Sequence, residues 1–228
     1  MKGERLKVKG LLILLFLSIF NFQFSTCMAQ ADSTAVKPRK AGRDTIYQGV
    51  TVKLDILSPV IEPAISKGGL QHYEVAANVR LKNRFYPTFE IGYAGGKTAC
   101  DTVTYKGHGG FFRVGCDINP LRKNPKSPHA LLVGVRLGTS VQEWKHPSHG
   151  TGGVKADCWG EIVAGCQVEI CKVKETAFYM GWMGRFKFLF TRQGAITTSE
   201  DILPVYIPGF GSRDDIGWGA NYYLGWRF

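Results

Sequence analysis

Hydropathy that alternates from one residue to the next recurs eight times along this chain, and no other feature narrows its fold so far. A period of two marks a strand with unlike faces, whereas a helix repeats near 3.6. The first segment sets Val50, Val52, Leu54 and Ile56 against Thr51, Lys53 and Asp55. The second sets Tyr73, Val75, Ala77, Val79 and Leu81 against Glu74, Asn78 and Arg80. Phe85, Phe89, Ile91 and Tyr93 alternate with Thr88, Glu90 and Gly92, and Phe112, Val114, Cys116 and Ile118 with Arg113, Gly115 and Asp117. Leu131, Val133, Val135 and Leu137 face Gly134, Arg136 and Gly138. Ile162, Ala164, Cys166, Val168 and Ile170 oppose Glu161, Gly165, Gln167 and Glu169. Phe178, Met180, Trp182, Phe186, Phe188 and Phe190 oppose Gly181, Arg185 and Lys187, and an eighth segment runs from Ile216 to Phe228. The expected class is all-β.

The connections alternate in length. The first holds Pro59, Pro63 and Gly68-Gly69 and is expected to be a loop, and the second is the short Lys82-Asn83-Arg84, where Asn tolerates positive φ. The third, fifth and seventh are expected to be long, the last from Thr191 to Asp215, against the short "KVKETA" of the sixth. Short turns at one end and long loops at the other fit an antiparallel up-and-down transmembrane β-barrel of eight strands. Pro87 lacks a ladder donor and is expected at the start of its strand or at a bulge.

The amino-terminal segment is set apart from this pattern. Lys2, Arg5, Lys7 and Lys9 precede the apolar run Leu11 to Phe20, which is short of the roughly 18 to 20 residues of a spanning helix. Small residues follow at cleavage spacing. Residues 1–29 read as a secretory signal peptide, with cleavage after Ala29 or as late as Ala31. Cys27 fits a lipoprotein acylation site poorly. Residues 30–47 form a basic periplasmic leader, and 48–228 the barrel. Removing the signal peptide lowers the net charge from +11 to about +8. Export and the lack of a basic helix or an RNA-binding aromatic motif argue against nucleic acid. Five cysteines remain after Cys27, with no C-x-x-C among them, and read as small apolar fillers; Cys100 and Cys158 are the one pair considered for a disulfide.

Three features place the apolar stripe outward. Gly92, Gly115, Gly134, Gly138, Gly165, Gly181, Gly217, Gly219 and Gly225 all fall on the polar face, where they would make room for Arg and Glu side chains in a narrow lumen. The aromatic residues of the last two segments would overfill an eight-stranded interior. The chain also closes on "NYYLGWRF", with Ala220, Tyr222, Leu224, Trp226 and Phe228 at alternating positions. This pattern resembles the carboxy-terminal signal of bacterial outer-membrane barrel proteins, and the chain as a whole resembles small uncharacterised outer-membrane barrels of Bacteroidota. The resemblance implies recognition of the last strand by the barrel-assembly machinery and an outer-membrane location. It spans the mature chain as architecture and is specific over its last ten residues.

The polar face carries Lys53, Arg80, Arg113, Arg136, Arg185, Lys187 and Arg227 against Asp55, Glu74, Glu90, Asp117, Glu161 and Glu169. Near balance is the expectation for a charge-plugged lumen, because buried ions persist only when paired. A sixth connection centred near Lys174 would set Glu161 opposite Lys187, with Arg185 two residues along. The expected role is structural or surface-interacting, with no catalysis, no cofactor, no bound metal and no open pore. The alternatives are a lipid-modifying enzyme built on His72 and Glu74 or on Ser140 and Glu143, and a soluble lipocalin-like secreted barrel. His146 and His149 flank Pro147, a poor spacing for a metal. Lys37, Arg39, Lys40, Arg122, Lys123 and Lys126 concentrate positive charge at the periplasmic end, where anionic lipid or a polyanion would be the partner. The apolar segment Ile202 to Asp215 would be a lid or a partner-binding patch.

Overall fold

The computed structural model describes residues 46–65, 70–82, 84–100, 103–121, 127–145, 152–190, 207 and 216–228. Eight antiparallel strands follow one another around a closed barrel: β1 (Tyr47–Asp55), β2 (Leu70–Leu81), β3 (Phe85–Cys100), β4 (Val103–Ile118), β5 (Ala130–Lys145), β6 (Gly152–Val173), β7 (Thr176–Leu189) and β8 (Ile216–Arg227). β8 pairs with β1 through Thr51↔Arg227 to Asp55↔Tyr223, and Phe228 exchanges both backbone bonds with Val50. Phe228 thus completes the pairing of β8 with β1 that closes the ring.

The apolar stripe faces out and the charged stripe faces in. Tyr73, Phe89, Ile91, Phe112, Val135, Leu137, Ile162, Phe186 and Trp218 are exposed on the wall, while Lys53, Asp55, Glu74, Glu90, Arg113, Arg136, Glu161, Arg185 and Lys187 are buried. Closing a sheet puts alternate side chains on opposite surfaces, so the period-two pattern becomes a radial one. Ala220, Tyr222, Leu224 and Trp226 lie on the outward face of β8, with Phe228 just beyond it.

Several expectations change. The third and fifth connections are not long loops. β3 and β4 extend toward each other until only residues 101–102 separate them, and β5 and β6 until only 146–151 do. The wall over β3–β6 therefore stands taller than that over β1, β2, β7 and β8. The first connection is not a plain loop either, because Ser58–Ile65 form a short helix, α1. Asp55 Oδ1 accepts the Leu57 N–H at 3.0 Å and the Ser58 N–H at 3.4 Å, satisfying donors at the helix start. Pro59 sits in the first turn, where no backbone donor is needed. In the second connection Lys82 is left-handed, at φ 49°, while Asn83 lies outside the described residues. Pro87 lies at the third position of β3, between the β2–β3 pairs Asn78↔Thr88 and Leu81↔Phe85, so its missing donor falls in a gap of that ladder.

The glycine surplus on the inner face has a second cause beside the expected one, which holds at Gly115, where an added Cβ would meet the Arg136 side chain. At Gly107 and Gly138 an added Cβ would collide with the rings of Trp144 and Trp159. Flat aromatic rings, as much as Arg or Glu, fill the space that these glycines leave. Cys158 forms no disulfide, since its thiol donates to Thr139 Oγ1 at 3.4 Å. The signal peptide, Cys27, the leader with Lys37, Arg39 and Lys40, the turn residues Arg122, Lys123 and Lys126, His146 and His149 lie outside the described residues, as does 202–215 apart from Ile207.

Candidate functional site

The lumen is filled in layers. At its middle, Glu90 on β3 accepts from three guanidiniums: Arg113 at 3.1 Å, Arg136 at 3.1 Å and Arg185 at 2.8 Å. Glu74 on β2 takes Arg113 at 2.6 Å and Arg185 at 3.0 Å. Glu161 on β6 accepts from Arg185 at 2.8 Å and from Trp159 Nε1 at 2.7 Å. Arg113 Nε lies 3.0 Å from Glu161 Oε1, an ion pair off the hydrogen-bond direction. Arg136 grips Asp117 with two parallel bonds of 2.7 Å, the fork geometry that makes Arg–carboxylate pairs strong. Arg185 Nε donates to Asn221 Oδ1, and Asn221 Nδ2 donates to Asp55 Oδ2. Through Asp55, Glu74, Glu90, Arg113, Arg136, Glu161, Arg185 and Asn221, each of the eight strands contributes to this layer.

The β6–β7 register places Glu161 opposite Lys187. Lys53 completes the layer differently: its buried ammonium stands 4.5 Å from the Tyr223 ring centroid. Beside it is a cavity of about 10 Å³ whose lining includes Asp55, Glu74, Thr88, Glu90 and Asn221. That is room for about one water. Charges Lys53, Arg113, Arg136, Arg185 and Lys187 balance Asp55, Glu74, Glu90, Asp117 and Glu161.

Three of the expected network residues stand apart, at the turn end. Arg227 meets Glu169 at 3.3 Å, stacks 4.8 Å from the Tyr179 ring, and Tyr179 donates to the same carboxylate at 2.8 Å. Arg80 donates to Gln48 Oε1 at 2.9 Å and to the Ser127 carbonyl. His129, just before β5, accepts the Glu169 N–H on Nδ1 at 3.1 Å, and its partial burial lowers its pKa below the ordinary histidine value. Between this cluster and the ionic layer pack Tyr86, Ala130, Leu132, Val163, Met183 and Tyr223.

At the loop end the interior turns aromatic. Tyr105, Phe111, Trp144, Trp159 and Ala94 surround Ile207, which is 1 % exposed. The seventh connection thus sends at least this side chain into the barrel, as a lid would. Lys155 and Asp157, 3.8 Å apart, and Ser140 and Gln142 are buried in the same extended strands. None of these four was expected as an interior polar residue. The alternation that holds them continues past Gly138 and before Glu161, but Trp144 and Trp159 on the same face mask it.

The two enzyme readings fare unequally. His72 Nε2 and Glu74 Oε2 do meet, at 3.1 Å, with the imidazole tilted against Phe111 at 5.1 Å between centroids. Both side chains are buried, and the nearby Ser58 Oγ donates to Asp55 rather than to the imidazole. Ser140 and Glu143 cannot act together: they are three apart on one strand, so Ser140 points in and Glu143 out. Asp55, His72 and Glu74 bring ligand atoms within 4.8 Å of one another. Asp55 Oδ2 is already held by Ser58 and Asn221, and Glu74 by two guanidiniums, whose charge opposes a cation there.

No curated protein matches the sequence. A family model described as a domain of unknown function, DUF6048, matches residues 11–227. A match of that extent covers all eight strands and the whole ionic layer, and the chain therefore belongs to the DUF6048 family.

Proposed function

We propose that the protein is an exported outer-membrane β-barrel of Bacteroidota type, with a structural or surface-interaction role, no catalysis and no open pore. The observation that carries this reading is the radial polarity: a wall of exposed aromatic and branched side chains around a buried, charge-balanced interior. In water this wall would be an apolar patch far larger than soluble monomers expose. In a bilayer the same wall is solvated by acyl chains, and a closed ladder pairs neighbouring strands without the open sheet edge that lipid cannot solvate. No helix among the described residues is long and apolar enough to cross a membrane, so the crossing elements would be strands. A soluble lipocalin-like barrel would need the opposite polarity. The outward alternation at Ala220, Tyr222, Leu224 and Trp226 along β8 supports recognition by the barrel-assembly machinery. The basic leader and turns would meet anionic lipid or a polyanion at the periplasmic rim.

The lumen supports the absence of a pore. Ion-paired side chains cross it at mid-height, and the aromatic cluster with Ile207 fills it above. Refolded protein in detergent is expected to migrate differently on a gel before and after boiling, and to give no steady conductance in planar bilayers. Full solubility without detergent, or a stable ion-selective current, would overturn the reading. The His72–Glu74 contact favours one second reading, a lipid-modifying enzyme. Its test is the acyl pattern of lipid A in a deletion strain, expected here to be unchanged.

A further inference from the structure

The outward face over β3, β4 and β5 is a short ladder of four rows, fixed by register. From mid-wall toward the loop end the rows are Ile91↔Phe112↔Thr139, Tyr93↔Gly110↔Val141, Gly95↔His108↔Glu143 and Lys97↔Lys106↔Lys145. The second row has a gap, because Gly110 carries no side chain. A cleft of about 250 Å³ opens there, lined by Ile91, Phe112, Thr139 and Val141. The fourth row sets three exposed lysines on adjacent strands, directly across from one another. Neighbouring strands lie about 4.8 Å apart, so the three ammonium stems span roughly 10 Å. Like charges directly opposite on a sheet destabilise it, and an anion seated among them removes that cost.

Only one acid among these rows opposes the lysines. Glu143 lies 3.5 Å from Lys145 Nζ and 3.9 Å from His108 Nε2. The flanking outward positions at the height of the third row are Gln71 on β2 and Val154 on β6, both uncharged. The positive charge is therefore local to the strands that carry the cleft. Apolar notch, polar row and cationic row follow in the order of an acyl chain, its linkage region and a phosphorylated headgroup.

We propose that this face of the wall binds one phosphate-bearing lipid, with an acyl chain in the notch at Gly110 and its headgroup on Lys97, Lys106 and Lys145. The inference rests on the membrane reading above. Its test uses the full mature chain reconstituted in dimyristoyl phosphatidylcholine with a minor share of dimyristoyl phosphatidate, so that only the headgroups differ. Lipid retained by the barrel is counted by native mass spectrometry. Two variants separate the parts of the site. Lys97→Gln, Lys106→Gln and Lys145→Gln together remove the cations. Gly110→Leu fills the notch, and a Cβ there would meet only the Gly92 carbonyl oxygen, at 3.8 Å, so the strand accepts it without strain.

The expected result is one phosphatidate retained in preference to phosphatidylcholine. The triple lysine variant should weaken retention by about fivefold per lysine, the ordinary worth of a basic residue at an anionic surface. Gly110→Leu should weaken it severalfold with an unchanged unfolding midpoint. Equal retention of the two lipids, or retention unaffected by either variant, would overturn the proposal. So would displacement by equimolar inorganic phosphate, which would mark a free-anion site. Loss in the lysine variant alone would also overturn it, as diffuse attraction for any polyanion, acidic protein included. A chain that fails to enter phosphatidylcholine vesicles overturns the membrane reading and this inference with it. One that inserts and shows no preference overturns this inference only.

Discussion

The ionic layer at mid-lumen and the aromatic layer above it fill one barrel by opposite means. In the ionic layer, a few carboxylates are each shared among several guanidiniums, and Arg185 alone reaches Glu74, Glu90, Glu161 and Asn221. In the aromatic layer, Trp144, Trp159, Phe111 and Tyr105 meet Ile207 by shape. Loss of one member has different consequences in the two. A missing ion leaves its partners charged and dry, whereas a missing hydrocarbon leaves a hole that neighbours partly close. The barrel thus puts its most exacting contacts where all eight strands meet and its more forgiving ones around Ile207.

That contrast breaks most visibly at Arg185. Arg185→Met removes a partner of three buried carboxylates at once and should cost about 5 kcal/mol, the upper end for breaking a buried pair. Urea unfolding of the reconstituted barrel would read it, and a wild-type midpoint would refute the shared-charge account. Glu161→Gln keeps the shape and removes one charge. Arg113 and Arg185 both retain Glu74 and Glu90, so the expected loss is smaller, about 3 kcal/mol. Ile207→Ala tests the other layer. It should cost about 2 kcal/mol, the low end for trimming a buried aliphatic side chain. A loss as large as that of Arg185→Met would mean that the aromatic layer, and not the ionic one, sets the stability of the barrel.

The same two layers differ in how far they can be read from the sequence. Between Glu161 and Lys187 the outward positions are mostly apolar, and the inward ones are mostly polar or Gly despite Val163, Ala177 and Met183, so the two faces can be told apart. Toward the loop end the rule inverts: Trp144 and Trp159 point in while Lys106, His108, Glu143 and Lys145 point out. Strand there imitates loop, and β3 to β6 are taken too short. The Glu161–Lys187 register shows a subtler limit. The sixth turn is the two-residue Lys174-Glu175, centred half a residue beyond Lys174, and that alone would face Glu161 with Phe188. A bulge between Glu169 and Cys171 restores the expected pairing. Asp55 shows another limit, since one side chain serves both the lumen and the start of α1. A Pro-rich stretch gives no hint of that second use.

The radial polarity that underlies all of this is tested most directly by the five tryptophans, which fall into two classes. Trp144 and Trp159 are buried inside, while Trp182, Trp218 and Trp226 lie on the outer wall. The decisive measurement is fluorescence quenching by brominated acyl chains, in vesicles holding either the wild type or a variant with Trp182, Trp218 and Trp226 changed to Phe. Strong quenching of the wild type and near-loss of quenching in the variant is the predicted result. Quenching that survives in the variant would put Trp144 and Trp159 against lipid and contradict the assignment of inside and outside, and no quenching in either would place the wall outside a bilayer altogether.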